Sequence, residues 1–209
     1  MPHGPESYRR MNSLPDEVPA ELMGSFAEEF FAELDGMTLE EARANRALRS
    51  RLDEQADTYR RTLPNAWPIT EVSWDLAPVS QRYSLDGIQS DVFAKHYSAG
   101  FILGWADLVD IDQHLHSSAY RSPDELWTLG SSSKLANVIA YLGNGGSVSP
   151  PLLQVVEVEG KETIGIAGGH HRFAVAKALN MREIPFYIAD VEQRKRLMQM
   201  FAVRWSVSF

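Results

Sequence analysis

The chain has 209 residues, 44% of them hydrophobic, a formal net charge of −8 and no cysteine. That balance is ordinary for a globular protein, and the lack of cysteine excludes disulfides, thiolate nucleophiles and cysteine metal sites. No apolar run approaches the roughly 20 residues a membrane span requires, and the amino terminus lacks the basic-then-apolar order of a secretion signal, so the expectation is a cytoplasmic protein without membrane insertion.

Residues 1–18 are rich in proline and polar groups and show no periodicity, which reads as a loosely ordered lead. Leu22, Phe26, Phe30 and Leu34 then follow at helical spacing, with Gly36 as a stop. A second amphipathic helix begins after a Thr38 cap, with acids in its first turn and arginines in its last. Residues 63–87 hold two tryptophans and three prolines and predict an irregular segment that packs its aromatics against a neighbouring domain. The run 88–105 is assigned to a helix.

From residue 107 the pattern changes. "DLVDI" reads as a short strand, "SPDELWTL" as a helical turn, and "SSSKLANVIAYLG" as a serine-capped helix ending at Gly143. "PPLLQVVEVEG" and "ETIGIAG" are β-rich runs joined by a turn, "HHRFAVAKALN" is a helix and "EIPFYIA" a final strand. The order is β-α-β-β-α-β, an α+β fold. The expected organisation is a helical amino-terminal extension over residues 1–106 and a core over residues 107–209. The closing stretch 191–209 has room for one more helix or strand, with "RKR" as a solvated face. Acidity is concentrated in the extension: of the Lys and Arg, 10 fall in residues 1–106 against 17 Asp and Glu, leaving 10 against 11 in residues 107–209. A broad grip on nucleic acid is therefore not implied, while a local basic groove in the second half is compatible with the balance.

The chemistry concentrates at "GIAGGHHRFAVAKALN". A strand that ends in Gly168 and Gly169 and feeds a helix sets backbone N–H groups at the positive end of the helix dipole, a physical basis for anion binding. Arg172 adds a planar fork suited to phosphate oxygens, and His170 and His171 add donors. The same residues also suit a plain helix start, in which the glycines allow a tight turn, the histidines cap the helix and Arg172 forms an ion pair. A metal site is a third reading, but adjacent histidines diverge on a helix, and it would need His114 and His116 to complete it across the fold.

Residues 107–190 resemble the ParB/sulfiredoxin superfamily, on "LVDI", on "SKLANVIAYLGNGGSVSPPLLQV" and on "IAGGHHRFAVAKALNMREIPFYI". The resemblance implies a nucleotide-phosphate turn at Gly168, Gly169, His171 and Arg172. His170 stands where sulfiredoxins have their catalytic cysteine, which excludes sulfinic acid reduction. The resemblance further implies that Lys134 approaches the phosphates, although Asn137 and Tyr141 replace the hydroxyl residues expected beyond it, and that Arg121 is a second phosphate-binding arginine. The cofactor expected is ATP or another nucleoside triphosphate, with Mg2+.

Among shorter members without a DNA-reading domain, the plan is most similar to plasmid fertility-inhibition factors of the oncogenic suppression activity type. That similarity implies an ATPase and nuclease with DNA and a type IV secretion coupling ATPase as partners, so that DNA transfer is blocked. His170 and His171 are the candidate catalytic residues, His170 leading because imidazole exchanges protons near neutral pH. Asp110, Asp112 and Glu157 are the acids placed to meet a magnesium ion. Two other functions fit the same residues: a small-metabolite kinase similar to free serine kinases, with Asp112 as its carboxylate base, and a nucleotide-binding interaction module without turnover.

Overall fold

The computed structural model describes residues 38–206 except 86, 120 and 121. The helix expected around Leu22 to Leu34 and the site residue Arg121 lie outside the described residues. The chain divides into two compact units between Arg51 and Leu52. Leu39–Tyr59 is helix α1. It starts in a capping box: Glu41 N–H donates to Thr38 Oγ1 at 3.2 Å, and Thr38 N–H donates to the Glu41 carboxylate at 2.8 Å. The Thr38 backbone N–H, and after it the Thr38 hydroxyl donating to the same carboxylate oxygen at 2.8 Å, hold the Glu41 carboxyl below its ordinary pKa.

The second unit is mixed α+β. Two 3-10 stretches (Pro64–Ala66 and Pro78–Leu85) lead to α2 (Ser90–His96), β1 (Ile102–Asp107), α3 (Leu108–Gln113), a 3-10 turn at Pro123–Glu125 and α4 (Ser132–Gly143). Then come β2 (Leu152–Val158), β3 (Lys161–Gly168), α5 (His170–Ala178), β4 (Glu183–Ile188), α6 (Val191–Leu197) and the two-residue β5 (Arg204–Trp205). The strands form one sheet in the order β3-β2-β4-β1-β5. β2 and β3 are an antiparallel hairpin turned at Glu159 and Gly160, both at positive φ. β4 meets β1 antiparallel and touches β2 in parallel at Leu152↔Tyr187.

Alternation along the strands separates two apolar layers. Ile164, Ile184 and Phe186 join Leu135 and Ile139 of α4 and Phe173 of α5 in the main core. The other parity of the central strand supplies Tyr187, which clusters with Leu152 and Phe101 and is flanked by Phe93 and Tyr97. β4 is therefore buried nearly throughout, as a strand covered on both faces should be. Trp67 and Trp74 do not turn outward: Trp67 is in the main core and Trp74 packs against it, so the irregular segment is built into this unit.

The strand expected at residues 107–111 is a correction. β1 instead occupies Ile102–Asp107, and Leu108–Gln113 is a helix with Leu108 and Ile111 buried. "DLVDI" fits a helical face of spacing three as well as a strand, and the choice is tertiary. Gly104 admits the rings of Trp205 and Phe186, which a Cβ would meet at 2.8 and 2.9 Å, so the strand centres there. The helix expected over 88–105 is likewise shortened to Ser90–His96. It stops at the C-cap Tyr97, whose backbone leaves the helical region at φ −129 and ψ 53; Gly100 at φ +67 turns the chain after it, and Gln81 fixes the exit by taking the Phe101 N–H at 2.7 Å and donating to the Phe101 carbonyl at 3.3 Å. The carboxy-terminal stretch supplies both a helix and a short strand. Its basic run is partly engaged: Arg196 pairs with Glu162 at 2.7 Å, and Arg194 stacks over Trp205 at 4.9 Å.

Candidate functional site

β3 ends at Gly168, and Gly169 takes the left-handed conformation, φ +88, immediately before α5. Both glycines are required sterically. A Cβ on Gly168 would collide with the Ser84 carbonyl oxygen, and one on Gly169 would lie 2.9 Å from Pro151 Cα. The 3-10 stretch Pro78–Leu85 thus presses its backbone on the turn, and Ser84 Oγ fastens it by donating to the Pro150 carbonyl at 2.9 Å. The tight-turn role of the glycines is met in full, whatever else the turn does.

Arg172 is 9% exposed. Its Nη1 donates to the Ser149 carbonyl at 2.9 Å and to Ser149 Oγ. The guanidinium consequently ties the first turn of α5 to the loop entering β2, and its contribution to the site is to hold the turn in place. That commitment was hidden from the sequence because Ser149 lies in an irregular loop 23 residues earlier.

The start of α5 opens on a cavity of about 1170 Å³. Gly168, Gly169, His170, His171, Arg172 and Lys134 all border it. Residues far apart in sequence, the turn and a lysine of α4, therefore face one space. Lys134 is exposed, and its backbone is fixed in the first turn of α4 by the Ser131 cap at 3.2 Å. Asn137 also borders the cavity and donates to Asp53 at 2.8 Å.

Two features were not foreseen. Lys177, seven residues after His170 and so on the same helical face, borders the cavity and pairs with Asp112 at 2.6 Å, each side chain about one-fifth exposed. The cavity also has an apolar wall from Leu63, Pro64, Trp127 and Leu129. The i, i+7 spacing from His170 was a usable signal for Lys177. The apolar wall left none, because it comes from irregular segments.

The remaining candidates lie elsewhere. His114 Nδ1 bonds the Asp110 carbonyl at 2.7 Å, and its ring sits 5.5 Å from that of Phe201. His116 Nδ1 accepts the Ser118 N–H at 3.2 Å. Glu157 is exposed on β2, opposite Glu162, and Tyr141 packs beneath Gly146. Among the described residues no three His, Asp or Glu side chains gather as a metal cage.

In chemical terms the cavity joins the positive end of a nine-residue helix, two histidines and two lysines to an apolar wall. Such a lining, which also includes Asp124, suits a ligand that carries both anionic and apolar parts. No family model, curated protein or solved structure matches this chain.

Proposed function

We propose that this protein binds a nucleoside triphosphate, ATP, in the cavity and hydrolyses it. The observation that carries the reading is that Lys134 of α4 borders the same cavity as the Gly168–Arg172 turn. A helix start and a lysine from a second helix on one cavity supply donors for phosphate oxygens. Arg172 holds that set in register through Ser149. The lining also fits a magnesium ion carried on the phosphates, because such ions take one or two carboxylates besides phosphate. Asp124 borders the cavity and would hold it, whereas Asp112 is engaged by Lys177. Bound there, magnesium would offset phosphate charge.

Water attacks the γ-phosphorus while its bond to the β-phosphate oxygen breaks and ADP leaves; His170, exposed in the cavity lining, takes the water's proton, and Lys134 balances charge on the phosphates. Within this reading the chain is a ParB/sulfiredoxin-type phosphohydrolase whose target is DNA, blocking transfer through a type IV secretion channel. The test is phosphate release from Mg·ATP with and without DNA. Release that rises with DNA and falls about 100-fold in His170→Ala, with binding retained, supports the reading. Bound ATP without release, or full turnover in His170→Ala, contradicts it.

A further inference from the structure

Leu63 is 71% exposed and Leu129 is 42% exposed, yet both line the cavity together with Pro64 and Trp127. Single exposed leucines are unremarkable. Two of them with a tryptophan, in the lining of a cavity that also takes in the Gly168–Arg172 turn, form an exposed apolar surface within one site.

The wall is held rigidly. Trp127 Nε1 donates to the Thr62 carbonyl at 3.0 Å, which links the segment carrying Leu63 and Pro64 to the segment carrying Leu129. The Trp127 ring meets Trp67 edge-on, with centroids 6.3 Å apart and planes at 88°. Ser122 and Glu125 close a capping box below it, and Leu129 N–H returns to the Glu125 carbonyl at 3.0 Å. Thr62 is fastened in turn to the end of α1, its Oγ1 donating to the Tyr59 carbonyl at 2.6 Å. A preorganised apolar surface loses little entropy on binding a flat partner, and aromatic side chains stack on any base without reading its sequence.

We infer that Leu63, Pro64, Trp127 and Leu129 are the seat for the planar base of a nucleoside phosphate, and that the ligand class is a nucleotide, as opposed to bare polyphosphate or a phosphosugar. The inference rests on the reading of the turn as the phosphate site. It assigns base affinity to two segments, 62–64 and 126–129, neither of which contributes to the turn.

Calorimetry with Mg·ATP and magnesium tripolyphosphate separates the two claims. The wild type binds ATP about tenfold more tightly than tripolyphosphate, a ratio in the range measured for base stacking. In Leu63→Ser/Leu129→Ser the ATP affinity drops to that of tripolyphosphate, while tripolyphosphate binding stays at its wild-type value. Both leucines are exposed, so the variant keeps its fold, which an unchanged melting curve checks. Equal wild-type affinities for the two ligands overturn the base seat and leave the phosphate turn standing. So does a variant that binds ATP like wild type or weakens both ligands equally. If the wild type binds neither, the phosphate reading falls and the base seat falls with it.

Discussion

Arg172 and Lys134 border one cavity and divide its work. Arg172 is buried and spends Nη1 on Ser149, so Arg172→Ala leaves polar groups of that loop without their donor and costs about 2–4 kcal/mol of stability. Lys134 is exposed, so Lys134→Ala leaves the melting temperature unchanged. Thermal melts of the two variants check this contrast, and equal melting temperatures would contradict it. Tyr187 supplies a second prediction. Its side chain is fully buried, its hydroxyl has no hydrogen-bond partner among the described residues, and burial, with help from the Asp75 carboxylate, pushes its pKa up to about 12. The folded pKa lies above the unfolded value of about 10, so the protonated phenol favours the fold fully below pH 10. That contribution is lost as pH rises toward 12. Tyr187→Phe is therefore neutral to about 1 kcal/mol stabilising at pH 7, and it flattens the loss of stability between pH 10 and 12 in chemical denaturation. A steep alkaline loss unchanged in Tyr187→Phe would refute the assignment.

Elements with a local signal were legible. Ser131 caps α4 as the serine run placed it, and α5 starts at His170 as expected, but its N-cap is Gly169 with no side-chain cap bond, so the histidines do not cap it; the turn of the β2-β3 hairpin falls within a residue or two of "GKE". Residues 88–111 were not legible, since the same apolar spacing serves a strand or a helix there. The outcome depends on partners remote in sequence: Trp205 over Gly104, Gln81 at Phe101, and the Arg182 carbonyl that takes the Leu108 N–H at 2.8 Å. The contact between the Pro78–Leu85 stretch and the glycine turn was equally hidden, and it yields a prediction. Gly168→Ala forces a methyl group onto the Ser84 carbonyl, which costs about 2–3 kcal/mol, or about 5–10 °C in melting temperature for a chain of this size. A melting temperature within a degree of wild type would show that the stretch does not press on the turn.

Across the molecule, the α+β class and the succession of strands and helices followed from periodicity and caps, with α3 as the addition. The site was half legible. The turn and Lys134 came from the sequence, while the Lys177–Asp112 pair and the apolar wall required the packing of segments that have no periodicity. Their joint consequence is one cavity whose lining combines cations of two helices with apolar residues of irregular segments. The most direct test of that account is calorimetric titration of Mg·ATP into wild type and Lys134→Ala. Saturable binding by the wild type is expected, with a loss of about 10- to 100-fold in Lys134→Ala, the value of one charge-assisted hydrogen bond, and no change in melting temperature. Absence of binding by the wild type, or equal affinity in the two proteins, would contradict it.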